Sequence, residues 1–207
     1  MPEICVLDYG MGNVRSVEKA FEHVGAAATI SADPSAVRAA DGLVLPGVGA
    51  FPRAMERIRD RGLDELIAER QAAGVPLLGI CLGLQLLFES TTEMGGAEGL
   101  GLLEGTVTAL EAGELKVPHI GWTPVRWEKD SRLAEGISSG TPFYHVHSFV
   151  ARPRPADVLG TAVHGERFAA AAERDNVFGV QFHPEKSSGA GLRLLSNFAG
   201  VCASVPA

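Results

Sequence analysis

Apolar residues in the first half of the chain alternate between short solid runs and helical spacing. Ile4 to Leu7 is a run of four and reads as a buried strand. Val14, Val17, Phe21 and Val24 then recur on one helical face, with Asn13 as a plausible N-cap and Gly25 as a stop. Thr29-Ile30 reads as a short second strand, and Asp33-Pro34 opens a short helix. Gly42 to Leu45 is a third strand, followed by the glycine-rich turn Pro46-Gly47-Val48-Gly49. One helical pattern runs from Phe51 to about Ala73. Pro76 to Ile80 is wholly apolar, so it reads as a strand buried on both faces, and a helix begins at Leu82 and runs to Phe88. Strands alternating with helices imply right-handed crossovers and a parallel sheet.

The second half changes character. Segments near 102–109, 117–127, 142–150, 157–163, 166–173 and 176–182 read as strands joined by short turns, and Ser187 to about Val201 as a closing helix. The expected architecture is a three-layer α/β domain: a mainly parallel central sheet with helices on both faces, plus an added antiparallel portion. At 207 residues the whole chain, 1–207, reads as one domain with a sizeable core.

Composition narrows the function. A net charge of −7, with no basic tail, argues against nucleic acid as a partner. No segment approaches the roughly 20 apolar residues of a membrane span, and the acidic N-terminus does not resemble a signal peptide, so a cytoplasmic location is expected. The three cysteines, Cys5, Cys81 and Cys202, form neither a disulfide framework nor a CxxC pair. Cys5 and Cys202 read as small buried hydrophobes. The histidines show no metal-ligand grouping along the sequence, so no metal is expected, and no cofactor either. The Gly-Met-Gly-Asn turn lacks the G-x-G-x-x-G of a dinucleotide site.

Cys81 stands apart. It follows the buried strand, a helix starts immediately after it, and Gly79 and Gly83 flank it at −2 and +2. This is the G-x-nucleophile-x-G elbow with sulfur in place of oxygen. The nucleophile must occupy a sharp, strained turn, and its neighbours pack so tightly that a Cβ would collide. A helix N-terminus favours the thiolate, the reactive species, and the Leu82 N–H can face an oxyanion above the sulfur. A bare GxCxG is as well explained by a buried cysteine at a strand–helix junction.

A second motif changes the weighting. Gln181-Phe182-His183-Pro184-Glu185 ends a strand about 100 residues later. Extended backbone points His183 and Glu185 to one side, and Pro184 biases His183 towards that backbone. The carboxylate can then hold the imidazole's tautomer while the imidazole serves the thiol. Alone, His-Pro-Glu is better read as a strand end with a solvated acid. The two motifs occurring together are rarely accidental and point to a nucleophilic cysteine paired with a histidine base.

Six segments extend the match over nearly the whole chain: Asp8 to Ser16 (DYGMGNVRS), Leu45 to Phe51 (LPGVGAF), Gly79 to Gln85 (GICLGLQ), Val117 to Trp122 (VPHIGW), Tyr144 to Phe149, and Gln181 to Ser187 (QFHPEKS). On these the chain resembles the class I, triad-type glutamine amidotransferases, and within them the branch that serves histidine biosynthesis. The resemblance implies Cys81, His183 and Glu185 as the catalytic triad of a glutaminase acting on L-glutamine. It implies Gly47, Val48, Gly49 and Leu82 as the oxyanion region, the loop needing rearrangement before it donates, so that the lone subunit is weakly active. Gln85, His147 and Ser148 match substrate-binding positions. Asn13, Trp122 and Lys186 match the interface with a (β/α)8-barrel cyclase, the expected heterodimer partner, through which ammonia is channelled. Without the resemblance, His119 and Trp122 could be simple packing and Lys186 a solvated charge; His23 and His164 read as surface or packing residues. Thr123, His145 and Phe149 depart from the family pattern, where Asn, an aromatic and Tyr are expected. Glutaminases for vitamin B6, GMP or anthranilate synthesis, and a scaffold with a decayed triad, are the competing readings.

Overall fold

The computed structural model of the chain describes residues 1–204. Its strands are β1 (Glu3–Leu7), β2 (Ala27–Ser31), β3 (Gly42–Gly47), β4 (Leu77–Cys81), β5 (Phe88–Thr91), β6 (Ala97–Glu98), β7 (Leu103–Ala109), β8 (His119–Trp127), β9 (Thr141–His147), β10 (Phe149–Pro153), β11 (Val158–His164), β12 (Glu166–Arg174) and β13 (Val177–Val180). The helices are α1 (Val14–His23), α2 (Pro34–Ala39), α3 (Phe51–Arg59), α4 (Leu63–Ala72), α5 (Leu82–Leu86) and α6 (Ser188–Cys202).

A nine-stranded sheet in the order β2-β1-β3-β4-β13-β12-β11-β8-β9 organises the molecule. From β2 to β13 the pairings are parallel; from β13 to β9 they are antiparallel. The antiparallel portion is therefore continuous with the parallel one, and β13 joins them. Alternate side chains feed two cores. Ile4, Val6, Leu78 and Ile80 pack with Phe21 of α1 and Leu194 and Phe198 of α6. Cys5, Leu7, Leu43 and Leu77 pack with α2, α3 and α4 on the other face. This period-2 partition is the physical basis of the three layers.

Three expectations are corrected. The helical pattern from Phe51 to Ala73 is two helices, because Gly62 takes a left-handed conformation (φ 63°) between them. The strand near 142–150 is two strands meeting at Ser148: β9 pairs with β8 in the large sheet, whereas β10 pairs with β7 in a second, four-stranded sheet, β10-β7-β5-β6. The helix after Cys81 stops at Leu86, and Phe88 already belongs to that second sheet. Asp33 does open α2, accepting from the Ser35 and Ala36 N–H groups at 2.9 and 3.3 Å. Asn13 holds the N-cap position of α1 without a side-chain cap bond. Cys5 and Cys202 are buried, and burial pushes their thiols up to about 11 and about 12.

Candidate active site

The parallel half delivers Cys81 to the carboxyl end of β4, one residue before α5. Its backbone sits at φ 56°, ψ −111°, a left-handed region that few non-glycine residues adopt. The flanking glycines explain how this turn is tolerated. A Cβ on Gly83 would lie 1.7 Å from the Leu45 carbonyl oxygen, and one on Gly79 would lie 2.6 Å from that of Gly83. Backbone on both sides leaves no room for any side chain there.

The neighbouring strand β13 runs parallel to β4, with Val180 opposite Ile80, and leads into His183 just beyond the sheet. Glu185 Oε1 lies 2.9 Å from His183 Nδ1. A carboxylate can only accept, so Nδ1 carries the proton and Nε2 is left for the thiol. Burial disfavours the imidazolium, but the nearby Cys81 sulfur and the Glu185 carboxylate outweigh it and raise the His183 pKa to about 9. The Glu185 side chain is almost wholly covered. His183 is further anchored through its backbone: its N–H donates to the Tyr144 carbonyl, and its own carbonyl accepts from the Ser187 hydroxyl at 2.6 Å.

Cys81 and His183 open on a cleft of about 350 Å³. Of the residues singled out in the sequence, Val48, Gly49, Leu82, Gln85, His147, Ser148 and Lys186 line it with them. Gly47 lies behind, paired in register with Cys81, where a Cβ would meet the Tyr9 hydroxyl at 2.4 Å and Leu82. Asn13 and Glu185 border a smaller hollow behind the imidazole. Trp122 is not in the cleft: it is half exposed on β8, against Tyr144. His23 is exposed, and His164 is half-buried.

Sequence reasoning missed several members. Gln181 is fully buried; its Nε2 donates towards Cys81 Sγ at 3.9 Å, and its Oε1 accepts from Gln85 Nε2 at 3.0 Å. A glutamine inside an otherwise apolar strand was the available signal. The Val146 carbonyl accepts from the Cys81 thiol at 3.7 Å. Glu93 and Pro118 complete the rim.

The histidines require a correction. No grouping was legible along the sequence, yet His119, His145 and His147 meet, with one nitrogen of each inside a mutual 4.8 Å. The β8–β9 register pairs His119 with His147 and Gly121 with His145, which brings together residues far apart in the chain. Burial, followed by mutual repulsion among the imidazoles, pushes His119 down to about 4 and His145 to about 2. Burial with repulsion from His119 brings His147 to about 3.

A strand–elbow–helix cysteine beside an imidazole held by a carboxylate defines a cysteine amidohydrolase site. The family model for class-I glutamine amidotransferases matches residues 5–201, and the chain belongs to that family. Among its relatives is the imidazole glycerol phosphate synthase subunit HisH of Moorella thermoacetica, 51% identical over 96% of this chain and 94% of that protein. The subunit of the same description from Rhodopirellula baltica is 52% identical over 95% and 96%. In fold, the chain resembles the solved PurLQS from Thermotoga maritima at a TM-score of 0.75 and 21% identity, covering 97% of this chain and 98% of that one. It likewise resembles a solved glutamine amidotransferase at a TM-score of 0.73 and 21% identity, covering 95% and 98%.

Proposed function

We infer that this chain is the glutaminase subunit of an imidazole glycerol phosphate synthase. It hydrolyses L-glutamine to glutamate and ammonia and passes the ammonia to a cyclase subunit in histidine biosynthesis. One observation carries the chemistry: Cys81, strained at a strand end, shares a cleft with His183, whose Nδ1 is held by Glu185.

The Cys81 thiolate attacks the side-chain amide carbon of glutamine. Charge builds on the amide oxygen, towards the Leu82 N–H and the Gly47-Val48-Gly49 loop. His183 gives its proton to the departing ammonia, and the C–N bond breaks to leave a γ-glutamyl thioester. His183 then takes a proton from water, which attacks the thioester; glutamate leaves and the thiol is restored. Glu185 keeps the ring in the tautomer that both steps need. Gln85 and Ser148 contact the substrate. His147 lines the cleft too, but its ring nitrogens face the Phe149 carbonyl and the other imidazoles.

The partner is a (β/α)8-barrel cyclase. Val48, Val117, Ile120 and Trp122 are apolar and each about half exposed or more, Val48 and Lys186 line the cleft, and Asn13 borders the hollow behind it. Enclosed transfer prevents ammonia from being protonated in water near neutral pH. The chain works as one domain in the cytoplasm; no helix among the described residues is long and apolar enough to cross a membrane.

The relatives' shared description favours this acceptor over vitamin B6, GMP or anthranilate synthases. Cys81→Ala in the complex reconstituted with the cyclase tests the assignment. Glutamine-dependent turnover is expected to disappear while ammonia-dependent turnover persists. Retained use of glutamine would refute it.

A further inference from the structure

The cluster of His119, His145 and His147 lies outside the triad, and the hydrolytic mechanism uses none of its ring nitrogens. His119 Nδ1 is 3.1 Å from His147 Nε2, and His145 Nδ1 is 3.3 Å from the same atom. Tetrahedral zinc with bonds of about 2.0–2.1 Å holds its ligand nitrogens roughly 3.3–3.4 Å apart. Two of the three nitrogen pairs therefore have close to this spacing, and all three nitrogens lie within 4.8 Å of one another.

The outer hydrogen bonds agree. His147 Nδ1 lies 3.1 Å from the Phe149 carbonyl, which only accepts, so Nδ1 carries the proton and Nε2 offers its lone pair inward. His119 Nε2 lies 2.8 Å from Thr123 Oγ1, which lets Nδ1 face inward unprotonated. Ligating histidines have this pattern: one nitrogen on the metal, the other oriented by an outer acceptor. His119 and His147 carry this outer orientation; the fully buried His145 does not, since its Nε2 has no partner with or without an ion. Hydrogen bonding alone serves the cluster badly because His147 Nε2 has one lone pair between two imidazole nitrogens. The surroundings are otherwise apolar or stacked, with Phe168 and Phe182 about His145 and His164 stacked on His119 at 4.1 Å.

We propose that His119 Nδ1, His145 Nδ1 and His147 Nε2 form a binding site for one divalent ion of the imidazole-preferring class, zinc foremost. Neutral nitrogen donors without a carboxylate suit zinc, cobalt or nickel and disfavour magnesium and calcium. His147 borders the cleft, so the cluster lies next to it. The ion site does not depend on the glutaminase reading, and each can fail alone.

The test uses the full chain carrying Cys81→Ser, so that the sulfur at the cleft cannot bind the probe, titrated with Co²⁺ and then Zn²⁺. One Co²⁺ per chain is expected, with the visible absorption of four-coordinate cobalt, displaced by Zn²⁺; Zn²⁺ should raise the unfolding temperature. Adding His145→Phe or, separately, His119→Gln should weaken binding at least about 100-fold, and Thr123→Val about 10-fold or more. Far-UV circular dichroism and unfolding in a chelator identify which second substitutions leave the fold intact. Absence of stoichiometric uptake, or uptake unchanged in a folded variant lacking His119 or His145, would overturn the proposal.

Discussion

His183, just beyond the end of β13, and the His119–His145–His147 cluster on β8 and β9 are both buried, each with a member lining one cleft, and their imidazoles are driven in opposite directions. Burial disfavours the charged form in both places. His183 has the Cys81 thiol and the Glu185 carboxylate against it and rises to about 9. The cluster faces only other imidazoles, a hydroxyl, a carbonyl and phenyl rings, and falls to between about 2 and about 4. Anionic partners decide the sign, not depth. The first environment suits proton transfer; the second keeps lone pairs available.

The strongest way to break this contrast is to remove the titrating ring at the cleft. His183→Ala should lower glutamine-dependent turnover about 10⁴-fold or more in the complex with the cyclase, with ammonia-dependent turnover intact. Glu185→Gln comes next. It keeps the shape and removes the charge, so turnover should fall about 10²- to 10⁴-fold, and the His183 titration followed by NMR should move down from about 9. An unmoved titration would mean that Glu185 does not set the proton affinity of that ring.

Stability against pH gives the smaller effects. A raised folded-state pKa means that His183 contributes stability fully below its unfolded value near 6.5, and that this is lost as pH rises through about 9. Denaturant unfolding of His183→Ala should lack that alkaline decline. The cluster has the opposite sign. Below about pH 6.5 the unfolded chain takes up protons that the buried rings refuse, so each ring costs up to about 1.4 kcal/mol per pH unit as pH falls. In a metal chelator, His145→Phe should therefore lose less stability than the parent between pH 6 and pH 4. An unchanged acid slope would contradict the cluster's environment.

How much was legible follows from what sequence can encode. The parallel half was readable because solid apolar runs and helical spacing alternate there, and the elbow because colliding Cβ positions at Gly79 and Gly83 leave a fixed spacing around Cys81. The second sheet was not: β6 has two residues and β5 four, too short to show a period. The division at Ser148 was hidden because it lies in the strands' pairing partners, which local spacing does not show. The imidazole cluster depends on the β8–β9 register, which no local pattern states. Gln181 showed only as a polar residue in an apolar strand, and its tie to Gln85 needed the fold.

The central claim is that Cys81 sulfur becomes covalently bonded to substrate. The complex with the cyclase, acid-quenched during turnover of L-glutamine and analysed by peptide mass spectrometry, tests it directly. A γ-glutamyl group is expected on the peptide containing Cys81, absent from Cys81→Ala. Steady turnover with no adduct there, or an adduct on another residue, would contradict the account.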